Sequence, residues 1–150
     1  MQIVTDCKAS LSKLLNVPKT HKIFFLSSAN EAMERIIENT VENRSYHLVN
    51  GSFSRLFYQI ASDLKKKTQL YEVQDGSGFE LENITPHPKT ELLCMTYNET
   101  STGVSLPLAF IYELGKKHPR MLTALDIVSS VPYPKLDFRK IDLVFFSVQK

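Results

Sequence analysis

The sequence predicts a three-layer α/β/α fold built on a mostly parallel sheet. Two observations carry that prediction. Short apolar runs alternate along the chain with longer segments of helical periodicity. The connections between them are short, which suits helices that cross back over a parallel sheet and cover both its faces. A third observation agrees. The residues with the most suggestive chemistry each follow the end of an apolar run, where such sheets bind ligands.

Taken in order, residues 2–16 place Ile3, Cys7, Leu11, Leu14 and Leu15 on one helical face, and Pro18 ends the helix. Residues 21–26 predict a short apolar strand. Residues 29–43 return to helical spacing, with Ala32, Met33, Ile36, Ile37 and Val41 as the stripe. A strand at 46–50 follows, then a helix at 53–66 with Phe53, Leu56, Phe57, Ile60, Ala61 and Leu64 inward. Residues 70–73 predict another strand, and Asp75-Gly76-Ser77-Gly78 a turn. The stretch 79–89, with Pro86 and Pro88, is the least regular. Beyond it come a strand at 91–97, a helix at 104–117 that breaks before Pro119, and strands at 121–126 and 143–148. No repeat or low-complexity tract interrupts the pattern.

At 150 residues the chain suits one domain, 1–150, large enough to bury a core. A net charge of +2 gives no case for nucleic acid or an anionic membrane as partner. The basic run Lys65-Lys66-Lys67 closes a predicted helix, where cations suit the dipole and solvent. Cys94 sits in an apolar run and Cys7 on a helix face, so no disulfide framework is expected. His21, His47, His87 and His118 lack ligand spacing, and no metal site is expected. Neither a signal peptide nor a membrane span is visible, which makes the cytoplasm the default and the Asn-x-Ser/Thr matches chance.

Five stretches carry the candidate chemistry. Ser27-Ser28-Ala29-Asn30-Glu31 joins a strand to a helix as an S-x-x-E capping box. Its first-turn N–H groups suit a phosphate, although most such boxes bind nothing. The lack of glycine there excludes a Walker loop or dinucleotide fingerprint. After Gly51-Ser52, Phe53 is either the first core residue of its helix or an aromatic plate for a flat ligand. The polar turn Asn98-Glu99-Thr100-Ser101-Thr102-Gly103 offers hydroxyls, Thr100 among them, as helix caps or ligand donors. Asp126 ends the run Leu122-Thr123-Ala124-Leu125, and an acid there is expensive to leave unpaired. The last apolar run delivers Gln149-Lys150. One buried strand ending in Asp and a later one ending in Lys is the minimum arrangement for pyridoxal phosphate, with Lys on its aldehyde and Asp on its pyridinium nitrogen.

Together these motifs resemble the class V aminotransferases of the pyridoxal-phosphate fold-type I superfamily. The resemblance covers nearly the whole chain: Ser-Ser-Ala-Asn-Glu-Ala-Met-Glu at 27–34, Asn-Gly-Ser-Phe at 50–53, Asn-Glu-Thr-Ser-Thr-Gly-Val at 98–104, Asp-Ile-Val-Ser-Ser at 126–130 and Ser-Val-Gln-Lys at 147–150. It implies that Ser28, Ala29 and Asn30 cradle the cofactor phosphate and that Phe53 stacks on its ring, where many relatives carry Trp. It implies Thr100 near the ring's phenolic oxygen, Asp126 on the pyridinium, Gln149 as a cofactor contact and Lys150 as the Schiff-base lysine. Asp126 and Lys150 are then the catalytic pair. Lys150 moves a proton between substrate and cofactor in each of two half-reactions.

Asn-Glu-Thr resembles phosphoserine aminotransferases, which act on phosphohydroxypyruvate and glutamate. Ser-Thr-Gly-Val also resembles the alanine/serine–glyoxylate enzymes. A Gln-Lys pair, where cysteine desulfurases carry His-Lys, argues against desulfurase. The resemblance further implies amino-acid and 2-oxo-acid substrates and a homodimer. It makes residues 1–150 the cofactor-binding large domain cut at both ends, without the strand that follows the lysine. Such a piece is expected to be inactive alone; the alternative of another class is a non-catalytic fragment of such an enzyme that acts only as a folding or binding unit.

Overall fold

A five-stranded parallel sheet is the middle layer of the computed structural model, which describes residues 2–149. In chain order the elements are α1 (Gln2–Leu15), α2 (Ala29–Thr40), β1 (Arg44–Val49), α3 (Ser52–Asp63), β2 (Lys67–Glu72), β3 (Leu92–Thr96), β4 (Asn98–Glu99), β5 (Val104–Ser105), α4 (Leu108–Lys117), β6 (Leu122–Asp126) and β7 (Leu143–Phe145). The sheet runs β2-β1-β3-β6-β7. Strand β3 lies at its centre and is buried at every position, which is why its sequence is a continuous apolar run rather than an alternating one.

Alternation along the strands divides the core in two. Leu92, Cys94, Ala124 and Phe145 point to α2 and α3, against Met33, Ile37, Phe57 and Ala61. Tyr46, Leu48, Leu93, Met95 and Leu125 point the other way, against Ile111 and Leu114 of α4 and against Phe79 and Ile84. The three expected layers are therefore present.

Four expectations need correction. Residues 21–26 are not a strand: they join neither sheet, and Phe24, Phe25 and Leu26 are exposed. The segment starts beside β7, where His21 Nε2 lies 3.3 Å from the Ile141 carbonyl oxygen and the ring meets Phe138 edge-on. Strand propensity supplies suitable side chains, but a strand also needs a ladder partner, and no described segment provides one. The helical face of α1 is largely uncovered; none of its residues is buried, and Ile3 is 79% exposed. The helix expected at 104–117 starts at Leu108, because Pro107 takes the N-cap position. Ahead of it the chain turns at Gly103, whose φ of 74° suits glycine, and pairs β4 with β5 antiparallel. Finally, the last strand stops at Phe145.

One buried group ties stability to pH. His47 is fully buried in β1 against the Phe57 and Tyr58 rings; Nε2 lies 2.8 Å from Ser45 Oγ, and Nδ1 has no hydrogen-bond partner among the described residues. Burial pushes its pKa down from 6.5 to about 3. The imidazole is neutral in the folded chain, while the unfolded chain takes up a proton below pH 6.5. Its contribution is thus complete above that pH and is lost as pH falls toward about 3, at about 1.4 kcal/mol per pH unit. Urea unfolding at about pH 6.5 and about pH 5 should show this loss in the wild type and much less of it in His47→Gln. Equal slopes in both proteins would contradict the assignment.

Candidate active site

Because β1, β3 and β6 are parallel, they end on one side of the sheet, and the turns that follow them carry most of the candidate residues. Asp126 is the last residue of β6 and is 5% exposed. Its Oδ1 accepts a 2.8 Å hydrogen bond from the Val128 N–H, so the acid does cap the following turn. In register beside it lies Thr96, the last residue of β3. Thr96 shares the sheet face of Cys94, toward α2 and α3, and its buried Oγ1 has no hydrogen-bond partner among the described residues.

Phe53 and Thr100 lie on two turns that Glu99 joins. Gly51 is the N-cap of α3, Phe53 stands in the helix's first turn, and the ring is 42% exposed. Thr100 is exposed in the turn after β4. Glu99, fully buried, accepts at Oε2 from the Ser54 N–H (2.8 Å) and the Ser54 hydroxyl (3.0 Å). At Oε1 it accepts from the Ser101 N–H (3.3 Å) and the Ser101 hydroxyl (2.7 Å). The Phe53 N–H also donates to it. Burial pushes the Glu99 carboxyl up, but the bonds from Ser101, Ser54 and Phe53 outweigh it and hold the pKa below the ordinary value. Further bonds sew the turns together: Ser52 N–H to Ser101 Oγ at 2.9 Å and Thr102 Oγ1–H to the Asn50 carbonyl at 2.9 Å. A third turn joins through Asn98 Nδ2, which donates to Ser129 Oγ at 2.9 Å.

At the head of α2, Ser28 is the N-cap and its Oγ accepts from the Glu31 N–H at 3.1 Å. The expected capping box is only half formed, because the Glu31 carboxylate returns to Ser27, accepting from its hydroxyl at 2.6 Å and its N–H at 2.7 Å. The Ser27 hydroxyl, then its N–H, holds the Glu31 pKa below the usual range. Ala29 and Asn30 occupy the first turn, where the helix itself offers their N–H groups no acceptor. Gln149 lies in an exposed turn beyond β7, and Lys150 falls outside the described residues.

The family model for class V aminotransferases matches residues 1–150. The chain belongs to the class V aminotransferases. The phosphoserine aminotransferase of Rhodococcus opacus is 24% identical to this aminotransferase chain over 149 residues, which make up 99% of the chain and 39% of that relative. Among solved structures, a phosphoserine aminotransferase from Cytophaga hutchinsonii superposes with a TM-score of 0.95 at 45% identity, covering 99% of the chain and 41% of that structure. An alanine–glyoxylate aminotransferase from Nostoc sp. follows at 0.81 and 25% identity, covering 95% and 40%. The chain thus spans about two fifths of the length of these class V relatives.

Three residues of this candidate site escaped the sequence reading: Glu99, Ser54 and Thr96. A signal for Glu99 was present. It follows the apolar run of β3 by three residues, so the cost of leaving an acid unpaired applied to it as it did to Asp126. Thr96 gave none, since a threonine ending a strand is ordinary.

Proposed function

We propose that residues 1–150 are the cofactor-binding large domain of a pyridoxal-phosphate-dependent aminotransferase working on phosphohydroxypyruvate and glutamate. The observation that carries the reading is Asp126. A carboxylate stands at the buried end of a central strand, on the family's ligand side, in a chain matched over its whole length. The 45% identity to a phosphoserine aminotransferase favours that substrate pair over glyoxylate, since the alanine–glyoxylate enzyme from Nostoc sp. is 25% identical.

The residues present fit the cofactor. An acid suits a pyridinium N–H, the Thr96 hydroxyl, without a hydrogen-bond partner among the described residues, lies beside it, and the head of α2 suits a phosphate. When bound, pyridoxal phosphate supplies an electron sink and the carbon that carries the amino group. Asp126 holds the proton on the ring nitrogen. Phe53 covers the ring face and keeps water from it. The Thr100 hydroxyl donates to the phenolic oxygen, while Ser28, Ala29 and Asn30 receive the phosphate. Gln149 adds a contact. Lys150 would hold the cofactor through its amine and would serve as the base and acid that moves the substrate Cα proton. Two chains pair, and exposed apolar residues such as Phe24, Phe25 and Leu26 support such an association.

Addition of pyridoxal phosphate to the intact protein that carries this chain should produce a near-visible absorbance that borohydride removes. A coupled assay should then show faster turnover of phosphohydroxypyruvate with glutamate than of glyoxylate with alanine. No reducible absorbance would end the aminotransferase reading; a preference for glyoxylate would end only the substrate assignment.

A further inference from the structure

We propose that Glu99 is a positioning residue that locks the Phe53 turn and the Thr100 turn into one rigid unit, setting where the ring and the hydroxyl stand relative to each other. The inference rests on the cofactor reading for its consequence and on geometry for its basis.

The geometry is reciprocal. Each carboxylate oxygen of Glu99 accepts from a backbone N–H of a different turn: Oε2 from Ser54, beside Phe53, and Oε1 from Ser101, beside Thr100. Serine hydroxyls repeat the pattern on both sides. Only a group with two acceptor ends satisfies both turns at once. A glutamine has one acceptor end, and its amide NH2 would face an N–H on whichever side it was placed. Hydroxyls can rotate to adapt, but backbone N–H groups cannot. One of the two backbone N–H groups must then lose its acceptor, which breaks the link between the turns whichever side it falls on.

Gly51 shows how closely the two turns approach. A Cβ at that position would collide with Glu99 Cγ and would lie 2.5 Å from Ser101 Oγ and 2.6 Å from Glu99 Cδ, so it strikes both members of the clamp. Its φ of 173° is extended backbone, open to any residue, so glycine is required here for space. Adding one methyl should push Glu99 out of place without altering its charge. Gly51→Ala and Glu99→Gln thus attack the same clamp by independent routes.

The test combines hydrogen exchange on the cofactor-free intact protein with a pyridoxal phosphate titration followed by absorbance. In Glu99→Gln, residues 51–55 and 99–103 should both exchange at least about tenfold faster, while β3 and β6 keep wild-type protection. Cofactor affinity should fall by about tenfold, the size of one lost charge-assisted hydrogen bond. Gly51→Ala should reproduce both changes. Ser101→Ala, which removes the hydroxyl that donates to Glu99 Oε1 and accepts from the Ser52 N–H, should shift both readouts in the same direction and stands in if Glu99→Gln does not fold.

A plain helix cap would loosen 51–55 alone. That result, or unchanged cofactor affinity in Glu99→Gln, overturns the proposal. If the wild type binds no pyridoxal phosphate, the cofactor reading fails, and joint or separate loosening of the two turns still decides whether Glu99 clamps them.

Discussion

Asp126→Asn is expected to lower transamination by about a thousandfold while leaving the cofactor bound and the fold intact. The three parts of that expectation come from different contacts. The fold survives because the bond from the Val128 N–H to Oδ1 needs only an acceptor, and an Asn carbonyl oxygen is one. The cofactor stays because the phosphate turn and Lys150 are untouched. Turnover falls because a neutral amide cannot hold a proton on the ring nitrogen as a buried carboxylate does, and that proton makes the ring an electron sink. The checks are a thermal melt, the absorbance of bound cofactor, and the rate of the first half-reaction with glutamate. A melt and spectrum like the wild type's, with near-normal turnover, would reduce Asp126 to the cap that the Val128 bond already makes it.

The layers were legible because periodicity reports burial. Strand β3, buried on both faces, has no polar interruption from Leu92 to Met95, and α2 and α3 carry clear stripes. What failed was pairing. Residues 21–26 have the composition of a strand, but composition says nothing of whether a neighbour is present to complete the ladder. Val104 and Ser105 were absorbed into a helix because apolar spacing carries through them, while Pro107 was the boundary that should have outweighed it.

The site divides the same way. Asp126 could be found because a lone acid closing an apolar run has a cost visible in one dimension. The role of Glu99 could not, since its donors come from residues 53 and 54 as well as 101, and only the fold brings those turns together. The half-formed capping box at Ser28 shows the limit within a single motif: spacing identified the cap but not that Glu31 would choose Ser27.

Replacing Lys150 by Ala should abolish the borohydride-reducible absorbance entirely, the largest effect expected of any single change. Lys150 lies outside the described residues, but β7, which leads to it, lies within them. Phe145 is in register with Asp126, and β7 is parallel to β6, so the chain leaves the sheet beside that acid. Lys150 follows Phe145 by five residues in the sequence. Several other lysines sit at the opposite side of the sheet. Lys67 opens β2, Lys89 precedes β3, Lys116 and Lys117 close the helix that feeds β6, and Lys140 precedes β7. A parallel sheet puts all of these at the amino ends of its strands, a strand's length from Asp126. Mass spectrometry of the borohydride-treated wild type should therefore find the cofactor mass on the peptide containing Lys150. Finding it on another lysine, or a reducible absorbance that persists in Lys150→Ala, would move the covalent site and with it the proton transfers assigned to this residue.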